Sequence, residues 1–350
     1  LDGLPDCCQY PTSLYVSEEG NDDDIYHYTS IQAAIIAAEY YYINQIWIEP
    51  GTYNENLTIH SDISIHNIQE IDASNPAFNV IVVGDGSTSV ITITGLVDVT
   101  PTPTLQGLSI SGGIADKGGG IYIENANPNL NWLEIIGNNA DKGGGIYMLN
   151  ADPILHRVLI VENNADANPG YGGGIYIDSS EPEFYHLTIA GNYSEIGSGV
   201  FFNNNSKPLL QDCLIWSNNR TYNNGNSPTM ELANGDVGLN NILLYNAIIE
   251  DYSDDYWDIG CCNDGESNYG VIGLTSGCLE SSPFEIDPID SVNPDEIAGD
   301  GDYHVVYYHT GCDNPWIDSG SEGGLLDDDT ISEIGIYEFN HTLGCTDPNA

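Results

Sequence analysis

Gly118-Gly119-Gly120-Ile121-Tyr122 returns as Gly143-Gly144-Gly145-Ile146-Tyr147, again as Gly172-Gly173-Gly174-Ile175-Tyr176, and more loosely as Gly197-Ser198-Gly199-Val200-Phe201, at steps of 25, 29 and 25 residues. Self-similarity at such a period is the signature of a solenoid. A second phrase accompanies each glycine group: Leu108-Ser109-Ile110 ahead of the first, then Leu133-Glu134-Ile135, Leu159-Ile160, Leu187-Thr188-Ile189 and Leu214-Ile215. Most lead into an asparagine turn, at Asn138-Asn139, Asn163-Asn164, Asn192 and Asn218-Asn219. A proline (Pro128, Pro153, Pro182, Pro208) falls ten or eleven residues after each glycine group begins.

Each period therefore holds about three short strands separated by turns. At about 3.3 Å per residue these strands close one coil, and equivalent residues stack between coils. The pattern predicts an all-β, parallel β-helix. Ile121, Ile146, Ile175 and Val200 are expected to form an inward ladder, with Tyr122, Tyr147, Tyr176 and Phe201 on the opposite face of the same strands. That outer stripe is a candidate surface for sugar rings or a partner. The turn asparagines are expected to tolerate the left-handed backbone conformation and to bond to their counterparts one coil away. The glycines permit tight turns and close coil stacking.

Composition narrows the function. The chain has 350 residues with 53 Asp plus Glu against 5 Lys plus Arg, a formal net charge of -48. Lys117, Lys142, Lys207, Arg157 and Arg220 cannot supply the basic footprint that nucleic acid requires. Acidic polysaccharides are repelled unless metal ions bridge them. No stretch reaches the length of about 18 to 20 apolar residues needed to span a bilayer, so membrane insertion is not expected. The start at Leu1 fits a processed mature protein.

The eight cysteines (Cys7, Cys8, Cys213, Cys261, Cys262, Cys278, Cys312, Cys345) form no C-x-x-C pair, which argues against zinc. Several lie in Asp/Gly-rich segments outside the repeat, where disulfides would staple loops in an oxidising compartment. Cys213, beside Leu214 and Ile215, reads as a buried free thiol.

Ahead of the repeat, Ser30 to Ala38 reads as an Ala/Ile-rich helix opened by Thr29, with Gln32 at the capping-box spacing. Strands follow at Ile46-Trp47-Ile48 and Leu57-Thr58-Ile59, joined by a turn at Pro50-Gly51-Thr52-Tyr53. Such a helix would cover the exposed edge of the first coil. This entry segment, TSIQAAIIAA followed by IWIEPGTYNENLTI, resembles that of right-handed β-helix proteins of the pectate-lyase superfamily. The GGGIY coils are similar to repeats of bacterial surface proteins, including polymorphic outer-membrane adhesins. NPWIDSG at 314–320 and EIGIYEFN at 333–340 resemble a closing coil, and the final GCTDPNA is similar to a module of secreted Bacteroidetes-type proteins. The resemblance implies a right-handed helix and an extracellular, bacterial cell-surface location. The chain divides into an extension (1–24), a capping helix with the first coil (25–60), coils (61–250), an irregular Asp/Cys-rich excursion with the closing coil (251–340), and a tail (341–350). Within the coils the last is marked by Ile242-Leu243-Leu244 through Ile248-Ile249.

The search for chemistry gives candidate metal ligands and no catalytic residues. Compact carboxylate groups stand at Asp22-Asp23-Asp24, Asp254-Asp255, Asp300 and Asp302, and Asp327-Asp328-Asp329, in Gly/Asn/Ser-rich surroundings that suit a hard, oxygen-ligated cation such as calcium. None matches an EF-hand loop. Arg157, within His156-Arg157-Val158, reads as a solvated coil-edge cation, and His156 and His186 as a surface pair at similar repeat positions. Neither histidine falls in an H-x-x-x-H or H-E-x-x-H motif, and no nucleophile motif is present. Five N-x-S/T triplets, including those at Asn56 and Asn192, permit glycosylation.

Three functions fit these features. The leading one is a secreted, non-catalytic structural or adhesive protein, calcium-stabilised and self-associating through the open ends of the solenoid or binding other cell-surface components. The others are a polysaccharide lyase or glycoside hydrolase, and a non-catalytic glycan-binding module.

Overall fold

Each period of the repeat closes one coil of a parallel solenoid in the computed structural model. The structure describes residues 12–19, 26–69, 78–96, 99–216 and 218, and the strands Leu232–Asn234, Leu243–Tyr245 and Ile248–Ile249. Among these residues the strands form sheets of fifteen, seven and four strands, and every strand pairing is parallel. Parallel crossovers are right-handed in nearly all sheets, so the chain is a right-handed parallel β-helix. The coil marked at Ile242 to Ile249 supplies the strands Leu243–Tyr245 and Ile248–Ile249.

The register follows the sequence ladders. Ile121 pairs with Ile146, Ile146 with Ile175, and Ile175 with Val200, all with no exposed surface. Each such side chain contributes about 1.5–3 kcal/mol by leaving water. Pro128, Pro153 and Pro182 sit at coil corners. Their carbonyls accept the N–H groups of Ile154, Glu183 and Leu209, which lead into the next coil.

The glycine triplets are a geometric necessity. Gly118, at φ 61, would place a Cβ 2.4 Å from the carbonyl of Ile121, and Gly119 would place one 2.5 Å from the carbonyls of Asn139 and Gly144. No side chain is accommodated at those distances. The longer second step is taken up at one corner. Ala140 pairs with Ala165 and Lys142 with Tyr171, so four additional residues leave both ladders in register.

The asparagine ladder forms as expected, with one correction. Asn138 Nδ2 donates to Asn163 Oδ1 at 3.0 Å, Asn163 Nδ2 to Asn192 Oδ1 at 3.0 Å, and Asn192 Nδ2 to Asn218 Oδ1 at 2.9 Å. All four residues are buried. The left-handed conformation belongs to the preceding residue, namely Gly137 (φ 64), Glu162 (φ 54) or Gly191 (φ 64). The asparagines thereby turn inward and serve as internal hydrogen-bond relays. Asn192 is sequestered here, and the Asn56 amide of the other named glycosylation triplet donates to Asp85 and Thr88.

At the N-terminal end, helix α1 (Ile31–Tyr41) buries Ile31, Ala34, Ile35 and Ala38 against the first coil, an i, i+3, i+4, i+7 stripe. Its N-cap is Ser30, whose Oγ accepts from Ala33 N at 3.1 Å; Thr29 lies one residue outside. The carboxylate expected from a capping box comes instead from Glu55, which accepts from Ile31 N at 2.8 Å, Gln32 N at 3.0 Å and Ser30 Oγ at 2.7 Å. The Pro50–Tyr53 turn is likewise revised. Gly51–Asn54 is a strand paired with Val80–Val83, which buries Tyr53. The segment read as an extension contributes the strand Leu14–Val16, paired with Gln45–Ile48. Among the described residues no helix is long and apolar enough to cross a membrane.

Candidate functional site

Two outer faces of the solenoid gather the chemically distinctive side chains. The first is the aromatic stripe. Tyr122, Tyr147, Tyr176 and Phe201 stack as the register requires, with successive centroids 5.6, 5.0 and 5.0 Å apart. The stripe is not open, however. Tyr147 and Tyr176 retain only 2% and 3% of their exposure. The glycine turn folds the preceding strand back across them. Lys117 Nζ lies 4.9 Å from the Tyr147 ring centre, Lys142 Nζ 5.4 Å from that of Tyr176, and Tyr171 and Ile196 continue this covering column. Burial is the main cause holding the Tyr122, Tyr147 and Tyr176 hydroxyls above the ordinary tyrosine range. The rings thus belong to a cation-roofed packing layer, and stacking on a flat sugar ring would first require displacing it.

The second face lies along the long strands Thr104–Ser111, Asn129–Ile136 and Ile154–Val161 and their successors. Five successive coils kink at the same position. Gly107, Trp132, Arg157, His186 and Asp212 all have φ between 49 and 78. For a residue other than glycine this conformation costs about 1–2 kcal/mol. Along this bend Trp132 takes the Arg157 guanidinium over its ring at 5.0 Å, and His186 Nε2 approaches Asp212 Oδ2 at 4.0 Å. Two residues further along the strand, Glu134 Oε2 accepts from Ser109 Oγ at 2.6 Å. Arg157, Glu134 and Asp212 are buried, so Arg157 is not the solvated edge residue its sequence position implies. The kink turns a normally outward side chain onto the neighbouring coil.

His156 and His186 are brought together, but from adjacent positions. His156 pairs with Tyr185, and the two imidazoles meet edge to face at 5.6 Å. Burial, the Arg157 charge and His186 lower the His156 pKa to about 4, leaving it neutral at physiological pH. In the same register column, on earlier coils, Trp47 stacks on His66 at 4.8 Å; burial lowers the His66 pKa, opposed by its bond with Gln106. The clustering at the bend escapes a sequence reading because Glu134, Arg157, His186 and Asp212 lie 23, 29 and 26 residues apart. The usable signal is the repeat alignment, which places Trp132, Arg157, His186 and Asp212 at one coil position.

All ten candidate calcium ligands, Asp22, Asp23, Asp24, Asp254, Asp255, Asp300, Asp302, Asp327, Asp328 and Asp329, lie outside the described residues, as do seven of the eight cysteines. Among the described residues no group of three or more acidic, histidine or cysteine side chains is arranged to hold a metal. Cys213 is the buried free thiol expected. Its Sγ donates to Gln211 O at 3.2 Å, and burial pushes its pKa up to about 12. An open cavity of about 800 Å³ at the corner between the four- and seven-stranded sheets is lined by Asp116, Asp141, Asp166, Lys117 and Tyr122 among others.

Neither a family model nor a curated protein matches the chain. Among solved structures it is similar to the pectin methylesterase from Aspergillus niger, with a TM-score of 0.42, 14% identity, and 69% of this chain and 78% of that one covered. It is also similar to the Escherichia coli protein YbhC, with a TM-score of 0.37, 14% identity, and coverage of 71% and 73%. A pectin methylesterase mutant in complex with a hexasaccharide gives a TM-score of 0.31, 13% identity, and coverage of 69% and 91%. Likeness at this level transfers neither activity nor substrate.

Proposed function

We propose that the protein is a non-catalytic extracellular scaffold of a bacterial cell surface, structural or adhesive in role. One observation carries this reading: the four cationic residues among the described residues each face a side chain of the chain itself. Lys117 and Lys142 roof the tyrosine stack, Arg157 covers Trp132, and Lys207 Nζ pairs with Glu181 Oε1 at 2.7 Å. In so acidic a chain, a lyase or an acidic-glycan binder needs a cation presented to its ligand; these four serve the architecture. Calcium at the aspartate clusters, relieving self-repulsion, is part of the proposal. Light scattering in calcium and after chelation tests the assembly side of it. A large species that dissociates on chelation supports a metal-stabilised surface assembly, and a 37.9 kDa monomer in both conditions removes self-association and leaves adhesion to other surface components.

A carbohydrate-active enzyme is the second reading, favoured by the concentration of Trp132, Glu134, Arg157, His156, His186 and Asp212 along one bend. A screen of neutral and acidic glycans decides between the readings. Product formation that Glu134→Gln abolishes in a folded variant supports the enzyme. Retention without turnover supports a binding module, and the absence of both turnover and retention leaves the scaffold reading in place.

A further inference from the structure

We infer that the outward face of helix α1 is a homotypic contact, through which two copies of the chain pair, N-terminal end to N-terminal end, about a two-fold axis. A helix apolar on every side is ordinarily buried on every side, and α1 departs from this. Its inner stripe is packed, but Ile36 is 59% exposed, Tyr40 75%, Tyr41 49% and Tyr42 96%. Tyr42 closes the helix in the left-handed conformation (φ 57, ψ 38), where glycine or asparagine is the usual residue. At that exposure its ring gains nothing from its own chain to offset the strain.

Shape and charge make a second copy the occupant. On the outward side the i, i+4 row of Ile36 and Tyr40 projects beside the row of Ala33 and Ala37, whose side chains are small and partly buried. In a two-fold crossing each copy lays its projecting row in the shallow row of the other, with Tyr41 and Tyr42 at the margin. Between Ile31 and Tyr42 the only residue charged at neutral pH is Glu39, and its Oε1 is turned onto the coil, accepting from His60 N at 3.3 Å and Ser61 Oγ at 3.1 Å. A second copy carrying the same net charge of -48 is admitted most easily at such a face. At about 150–250 Å² for a whole aromatic side chain, the exposed parts of the three tyrosines give roughly 300–550 Å² per copy. A standard interface takes about 800 Å² from each partner, so the pairing is reversible. It deepens the self-association of the scaffold reading, but it closes at two copies and needs no calcium.

The test is analytical ultracentrifugation of the full chain over a range of concentrations, in chelator, at low and high salt. The parent is expected to pass from 37.9 kDa toward twice that mass, and salt to strengthen the pairing several-fold by screening like charge. Ile36→Ser combined with Tyr40→Ser alters exposed side chains alone and should weaken pairing by at least about tenfold. Tyr42→Asn suits the left-handed position, so it should melt at a higher temperature as a monomer while pairing more weakly, a combination that a purely structural role does not give. A parent that stays at 37.9 kDa in every condition overturns the inference, as does a dimer that the double substitution leaves intact. Larger species that form only in calcium and ignore these substitutions overturn it while supporting the assembly reading.

Discussion

Replacing Asn163 by alanine removes four hydrogen bonds from the interior of the solenoid. Its Nδ2 donates to Ile135 O at 2.8 Å and to Asn192 Oδ1 at 3.0 Å, while its Oδ1 accepts from Asn138 N at 3.1 Å and Asn138 Nδ2 at 3.0 Å. Not every partner is stranded. Asn192 Oδ1 keeps its bond from Asn163 N, and Asn138 Nδ2 keeps those to Ile110 O and Ile136 O. The group left without a partner is Asn138 N, within the core, while Ile135 O lies in the strand ladder and loses its additional donor. With Asn138 N orphaned at about 1–3 kcal/mol and the other lost bonds worth about 1 kcal/mol each, Asn163→Ala should lose roughly 4 kcal/mol. Asn139→Ala is the comparison, because the Asn139 side chain reaches outward to the exposed Asp166 at 3.1 Å; its loss should stay below about 1 kcal/mol. Urea unfolding followed by circular dichroism measures both. Exchange at Asn138 N localises the effect should the transition prove not to be two-state. A loss for Asn163→Ala below about 1 kcal/mol, or equal to that of Asn139→Ala, would refute the assignment of the ladder as a principal support.

Three further outcomes are expected. Gly119→Ala should prevent coil closure or destabilise by several kcal/mol, because its Cβ would lie 2.5 Å from two carbonyls, whereas Gly137→Ala, with φ 64 and nothing within 4 Å, should cost only the backbone term of about 1–2 kcal/mol; thermal melts of the two variants make the comparison. The lowered pKa of His156 means that the unfolded chain takes up a proton the folded chain resists, so this residue removes stability as pH falls from the unfolded value of 6.5 toward about 4. Allowing for the ring's contact with solvent, stability should drop between pH 7 and pH 5 by about 1 kcal/mol more in the parent than in His156→Asn; equal drops refute the linkage. Cys213, with its thiol pushed up to about 12, should resist maleimide in the native protein and react in denaturant. Mass mapping of the peptide around Leu214 reads the result, and native labelling contradicts the burial.

Coil geometry was legible because a repeat states its own register: once Ile121 is aligned with Ile146, the inward and outward columns follow. What was not legible arises where the chain departs from a straight strand. The outward tyrosines read as a surface because alternation alone gives their side of the sheet. It does not show that the glycine turn folds Lys117 and Lys142 back over them. Arg157 read as solvated for the same reason, since the bend at φ 54 leaves no mark in residue type. Thr29 was preferred to Ser30 because the capping carboxylate comes from Glu55, 24 residues beyond the first helical residue it serves.

The corner between Ala165 and Tyr171 has a practical consequence. Four additional residues already reside there while the ladders on either side remain paired, and the penalty for lengthening such a connection grows only logarithmically. It is therefore a ready position for grafting. An epitope, an affinity tag or a recognition peptide could be displayed from the flank of the rod at a fixed height, without redesigning the coils that carry it.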